Sequence, residues 1–402
     1  MSLRLRQLWL FIHRWLGLTA GLLFALSGLT GSAVVFNHAL DEWLNPSLMR
    51  ARHEGPQLSL AEIIASAERQ SPTPGRISNA FYPRTAHGTF TLHFRHVEKA
   101  DKADKAEKAV ATKAPIVEVF VDPATGEILG QRVRETGLMA TIYRLHANLL
   151  SGEAGRALLG GLAIVVLISV VSGLTLWWPL IRRGVWTGFG IRRRLFTYDL
   201  HKFFGAVSAP FLLLIAFTGV YLGLPSIVKP VVTTISTETK LPGKVKSTVP
   251  EPKTRPIGPD AAVQVARETM PGCLPMSIEL PQKADDSYRV FVRQQGEVGQ
   301  QRGVGRVWVD QYSGECLATR DWSKFTFADT YFRIQLALHS GDAFGLGGRW
   351  LFCLIGIVPS VLYVTGFILW RRRKAQRRIP PVQAEPIPKG NAVSRPDPIT
   401  TI

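Results

Sequence analysis

Cysteine is scarce in this chain, with three in 402 residues, and none stands in a C-x-x-C-H. The motif that attaches c-type haem covalently is therefore missing. Cys353 falls in an apolar run, where a buried, inert thiol is expected. Cys273 and Cys316 share one hydrophilic stretch, and spacing alone leaves open whether they pair in an oxidising compartment. No G-x-G-x-x-G stands at a strand-to-helix junction, so the sequence carries no nicotinamide or flavin fingerprint. Charged residues are almost absent from the middle of the long apolar runs. That speaks against a solute carrier, in which ionisable groups at mid-depth mark the pathway.

What the chain has in quantity is apolar sequence gathered into runs at residues 8–36, 157–179, 203–228 and 350–370. Each approaches or exceeds the roughly 20 residues that cross a bilayer core. The first run, behind the basic leader "MSLRLR", outlasts the core of a secretory signal and lacks a small-residue cleavage site, so a permanent anchor is expected. The net charge of +18 is placed rather than spread. Arg4, Arg6 and Arg14 open the first run, Arg182, Arg183, Arg192, Arg193 and Arg194 fill the short second loop, and "RRRKAQRR" follows the fourth run. All three clusters fall on one side, as the positive-inside rule requires of the cytoplasm, and the charge needs no nucleic acid to explain it. Membrane lipid is the implied surrounding.

The resulting plan is an anchor helix at 1–38, an outer module at 39–141, a helix at 142–180, a basic loop at 181–199, a helix at 200–228, a second outer module at 229–331, a helix at 332–372 and a cytoplasmic tail at 373–402. Residues 98–109, "EKADKADKAEKA", read as a solvated insertion, and the proline-rich tail as disordered.

The chain is written twice. Aligning His146 in "LHANLLSGEAGR" with His339 in "LHSGDAFGLGGR" without gaps superimposes Gly155 on Gly348, Arg156 on Arg349, Gly173 on Gly366 and Trp177 on Trp370. Aligning His13 with His201 superimposes Gly17 on Gly205, Thr30 on Thr218 and Gly31 on Gly219. Between these, "VFVDPATGEILGQR" at 119–132 answers "VWVDQYSGECLATR" at 307–320, each a strand, a turn and a strand. Upstream, "LSLAEIIASAERQ" and "IGPDAAVQVARET" have helical spacing. The unit is a span, a small α+β module and a span, used twice in the same orientation, so the halves are parallel repeats about an axis along the membrane normal.

Such an axis sets His13 opposite His201 at the cytoplasmic side and His146 opposite His339 at the outer side. Facing imidazoles suit a haem iron, which takes two axial nitrogen ligands. Gly17, Gly21 and Gly28 on the first helix, with Gly205, Ala209 and Ala216 on the third, would leave room for a flat macrocycle. Small residues at this spacing also serve plain helix packing, and a lone histidine at a helix end is more often structural. Four histidines in two related pairs reverse that balance. Arg156 and Arg349 are candidates for haem propionates, with snorkelling at the interface as the competing role. Trp177, Trp178 and Trp370 read as an aromatic belt. His38 lacks a repeat partner and is a reserve ligand at most. His53, His87, His93 and His96 read as surface or loop residues, with weak metal binding by His93 and His96 as the outside alternative. The outer pair lies 11 residues ahead of its apolar runs, about 16 Å in continuous helix, so it sits beyond the membrane surface unless the glycine-rich segments fold the chain back.

The opening "HRWLGLTAGLLFALSGLTGS", the "NHALDEWLNP" after it, the doubled "LH…GR…TG/SG…LW" helices and the "VFVDPATGEILG" hairpin resemble the PepSY-associated transmembrane proteins of bacterial inner membranes, over about residues 7–375. The resemblance implies four transmembrane helices, two periplasmic PepSY-like modules and both termini in the cytoplasm. It also implies kinship with iron-regulated membrane proteins and ferrisiderophore reductases that hold two b-type haems, with His13, His201, His146 and His339 as axial ligands. The activity expected is transmembrane reduction of a ferric siderophore or other ferric chelate, fed by a separate cytoplasmic or quinol donor. Reduction to Fe(II) loosens hard-oxygen chelation. The competing classes are a siderophore or small-solute transporter and a PepSY-type sensing or peptidase-regulating membrane protein.

Overall fold

The structure is a computed structural model that describes residues 2–71, 75–95, 115–252, 254–299 and 303–376. His96, the charged insertion and the tail beyond residue 376 lie outside the described residues.

Helix α1 (Leu3–Thr19) starts on the Ser2 side chain, which accepts from the Leu5 amide, and α2 (Gly21–Val35) follows after a bend of 58°. The bend has local causes: the Thr19 hydroxyl donates to the Trp15 carbonyl at 2.8 Å, and Gly21 admits the Tyr363 ring where a Cβ would stand at 2.9 Å. The expected single anchor helix is thus two segments. Helices α3 (Asn37–Leu44) and α4 (Pro46–Met49) lead to α5 (Leu60–Gln70), which opens on a Ser59–Glu62 capping box and buries Leu60, Ile63 and Ala67. Strands β1 (Arg76–Phe81), β2 (Phe90–Arg95), β3 (Ile116–Val121) and β4 (Ile128–Val133) follow. Then come α6 (Leu138–Asn148), α7 (Gly152–Ile181), α8 (Val185–Phe189), α9 (Phe196–Gly223) and α10 (Pro225–Thr233). The second module has α11 (Pro259–Thr269) and strands β5 (Leu274–Glu279), β6 (Tyr288–Arg293), β7 (Gly305–Val309) and β8 (Cys316–Arg320); α12 (Phe327–His339) and α13 (Gly345–Gln376) close the chain.

The segments around α7, α9 and α13 are each long and apolar enough to cross a bilayer, and the bent pair α1–α2 qualifies as a fourth span. Close backbone approach sets the bundle. A Cβ at Gly223 would lie 2.4 Å from Gly160 Cα, joining α9 to α7, and one at Gly28 would lie 2.3 Å from the Gly356 carbonyl, joining α2 to α13. Gly28 therefore serves helix packing rather than room for a ligand.

The two outer loops, read as separate modules in the sequence, form one antiparallel eight-stranded sheet in the order β4-β3-β2-β1-β5-β6-β7-β8. The seam is the β1–β5 pair, with Asn79 opposite Glu279, Ala80 opposite Ile278 and Phe81 opposite Ser277. One face packs on α5 and α11 in a single core that runs across the seam, from Phe90, Leu92 and Val119 to Ile278, Val290 and Val307. Full burial of each such side chain contributes about 1.5–3 kcal/mol.

Each outer hairpin turns on a buried aspartate. Asp122 accepts from the amides of Arg52, His53, Ala124 and Thr125, and Asp310 from those of Thr248, Tyr312 and Ser313. Burial pushes both carboxyls up, and the amide hydrogen bonds outweigh it, holding each below the ordinary carboxylate value. Gly126 and Gly314, both at φ +74°, close the two turns.

Cys273 and Cys316 are both free thiols, as is Cys353 in α13.

Candidate functional site

His13 sits in the second half of α1 and His201 near the start of α9; His146 and His339 lie at the ends of the short helices α6 and α12. The chain does fold back there. After α6, Leu149 and Leu150 take left-handed φ of 50° and 57° with Gly152 at 59°; after α12, Gly341 and Gly345 stand at 74° and 67°. Two consecutive leucines in that region are costly, by about 1–2 kcal/mol each. The turns press onto the spans they precede: a Cβ at Gly155 would stand 1.9 Å from the Asn148 carbonyl, and one at Gly348 2.4 Å from the Gly341 carbonyl. This explains why that glycine appears in both halves. It also brings His146 against α2 and His339 against α9, within the spans rather than beyond them.

All four imidazoles are seated alike. His13 Nδ1 lies 3.0 Å from the Ser169 carbonyl and 3.0 Å from Ser172 Oγ. His201 Nδ1 lies 2.9 Å from Thr365 Oγ1, a hydroxyl that itself donates to Val361. His146 Nδ1 lies 3.0 Å from the Ser27 carbonyl and 3.4 Å from Thr30 Oγ1, and His339 Nδ1 lies 3.0 Å from both the Ile215 carbonyl and Thr218 Oγ1. A carbonyl only accepts, and the Thr365 hydroxyl already donates to Val361, so Nδ1 carries the proton and Nε2 is left with a free lone pair. Each ring rests on a glycine: Cβ atoms at Gly173, Gly366, Gly31 and Gly219 would stand 3.0, 3.4, 2.8 and 3.6 Å from Cε1 of His13, His201, His146 and His339. The sequence alignment already pairs those glycines. The hydroxyls of Ser172 and Thr365, aligned in the same register, seat His13 and His201 and carry no signal in the sequence beyond that alignment.

The rings do come together as pairs. His13 and His201 have centroids 6.1 Å apart with planes at 83°, and His146 and His339 have centroids 6.2 Å apart with planes at 48°. Two imidazoles that bind one metal at about 2.0–2.1 Å through Nε2 from opposite sides place their centroids roughly 6.4 Å apart. Both pairs fit that spacing. Among the described residues no group of three or more His, Cys, Asp or Glu gathers to hold a metal ion.

Beside His13 and His201 a cavity of about 320 Å³ is lined by Gly17, Gly21, Gly173, Gly205 and Gly366, with Phe24, Trp177 and Trp370. At Gly17 a Cβ would meet nothing within 4 Å. Arg6, Arg14 and Arg373 also line it, and the buried Arg14 Nε has no hydrogen-bond partner among the described residues. An apolar slot with guanidinium groups on its wall suits a flat, apolar ligand carrying carboxylates. Among the small residues singled out on α1, α2 and α9, Gly17, Gly21 and Gly205 line this space. Ala209 and Ala216 are buried, and Ala216 is packed in an apolar cluster with Leu162 and Val166.

Arg156 pairs with Glu153 at 2.8 Å and keeps a buried Nε that lacks a partner. Arg349 donates to the Val35 carbonyl at 2.7 Å and lies over the Phe36 ring, so it also closes the end of α2. Trp177 donates to the Gly188 carbonyl, anchoring α8 rather than only marking the interface. His38 is part-buried in α3 near Arg84, Asp41, Glu42 and Arg132. His93 is not on the surface: it is 5% exposed, tilted against the Phe81 ring at 4.6 Å and 3.5 Å from Glu118, and the alternation of β2 turns it to the sheet face opposite α5.

A bundle with up to four apolar spans, crowned by one antiparallel sheet, defines a membrane protein with a folded extramembrane cap. Residues 10–373 match the family described as the PepSY-associated TM region, and the chain belongs to that family. No curated protein matches the chain.

Proposed function

We propose that this protein is a b-type di-haem electron-transfer protein of the bacterial inner membrane, built as two parallel repeats with PepSY-like modules on the periplasmic side. Electrons from a cytoplasmic protein or a quinol would reach a ferric siderophore or other ferric chelate outside, and the reduced iron would leave its hard-oxygen ligands. The observation that carries this reading is the fourfold repetition of one arrangement, a histidine on a glycine with Nδ1 held by a neighbouring helix, in two pairs 6.1 and 6.2 Å apart.

Haem, when bound, supplies the one-electron chemistry. The chain supplies the rest. His13 with His201, and His146 with His339, would ligate, and the Nδ1 contacts fix ring tautomer and orientation. Arg14 and Arg156 each offer a buried Nε toward a carboxylate. The pairs lie at opposite ends of the bundle: His201 and Thr218, which marks the His339 seat, are separated by about 25 Å of helix at 1.5 Å per residue.

The detergent-purified protein is expected to show a Soret band that shifts on reduction. His13→Ala should lose about half the haem and His339→Ala the other half. A colourless preparation, or variants that keep full haem content, would end the reading.

A further inference from the structure

Glu118 and Arg306 stand at equivalent places on β3 and β7, as do Arg132 and Arg320 on β4 and β8. In the first half the cross-strand pair is Glu118 with Arg132, an ion pair at 2.9 Å, and Arg132 also holds Asp41. In the second half the cross-strand pair is Arg306 with Arg320. Like charges directly opposite destabilise a sheet.

The repulsion is relieved only in part, at Arg320 and Arg289. Arg320 is buried and faces Asp329 at 3.5 Å, and Arg289 pairs with Glu279. Arg306 and Arg333 have no ion pair among the described residues. Arg306 shares the Phe291 ring with Arg289, at 5.2 and 5.6 Å, and its buried Nε has no hydrogen-bond partner among the described residues. Burial, and then Arg333, Arg320 and Arg289, push the Arg306 guanidinium down to about 10. An aromatic face offsets part of that cost but does not neutralise a cation.

We infer that Arg289, Arg306, Arg320 and Arg333 form a binding site for an anionic, oxygen-rich ligand on the sheet face opposite α5 and α11. Resting on the reductase reading, that ligand is a ferric chelate with ionised carboxylates. Arg333 and His339 share α12, six residues or about 9 Å apart along its axis, which ties the site to the helix that carries one ring of the outer histidine pair. Guanidinium forks match carboxylates in pairs, and Trp308 and Phe291 supply flat walls.

The test uses the full chain as purified, with gallium(III) citrate as a ligand that cannot be reduced, read by calorimetry. Arg306→Glu writes the first half's pattern into the second. It is expected to melt no lower than the parent and to bind gallium citrate at least tenfold more weakly, the order set by losing one charge-assisted hydrogen bond. Arg306→Lys should fall between. Equal binding by parent and Arg306→Glu, or a lower melting point for Arg306→Glu, overturns the site. If glycerophosphoglycerol binds more tightly than gallium citrate, and through Arg306, the anion is a lipid headgroup and the substrate class is wrong. A colourless chain that still binds gallium citrate through Arg306 ends the haem reading and leaves the anion site standing. A haem-loaded chain indifferent to citrate does the reverse.

Discussion

Gly17 and Gly31 are both glycines of the first span, and a side chain at each would meet a different fate. At Gly31 a Cβ stands 2.8 Å from the His146 ring; at Gly17 it enters open cavity. Gly31→Val is therefore expected to displace His146 and remove the outer haem alone, read as half the haem content with the inner spectrum retained. Gly17→Leu should leave the stability of the haem-free protein within about 0.5 kcal/mol of the parent, since its Cβ meets nothing within 4 Å, yet block the cavity and lose the inner haem. Full haem in Gly17→Leu would show that the cavity is not the ligand's place. These residues were legible in advance because the duplication pairs Gly31 with Gly219 and Gly173 with Gly366. The glycine-rich segments left a fold-back open, but its start at Leu149 and Leu150 carried no signal, since leucine normally avoids left-handed backbone.

Among the elements, the two hairpins carry the plainest electrostatics. Asp122 and Asp310 have folded values below their unfolded ones, so the stability they add is fully present above the unfolded value near pH 4 and is lost as pH falls through the lower folded values. Acid unfolding of the sheet should begin below about pH 4, and Asp122→Ala should flatten that dependence while costing about 2–4 kcal/mol through orphaned amides. Circular dichroism against pH checks both; an unchanged acid limb in the variant would contradict the assignment. Hairpins and α5 were readable from turn residues and spacing. The β1–β5 seam was not, because it is made by backbone hydrogen bonds between edge strands and leaves no side-chain signature.

At the scale of the whole molecule, a core shared across the seam means the sheet melts as one unit. Val290→Ala, in the second half, is expected to lower the midpoint for both halves by about 1–3 kcal/mol of stability with a single transition retained. Two separate transitions would show that the halves fold apart. The basic clusters fix the expected sidedness: a cysteine at Ala124 should react with an impermeant maleimide from the periplasm, and one at Arg183 only after the membrane is opened. The reverse pattern would invert the protein.

The ladder from Asn79–Glu279 to Phe81–Ser277 works as a crossbar over the bundle. Carriers with twin halves operate by rocking one against the other, an alternating-access cycle that requires the outer ends to part. Here parting them would tear main-chain hydrogen bonds and open a common hydrophobic interior. A scaffold braced in this way suits the proposed passage of electrons, which needs a constant gap and no moving gate.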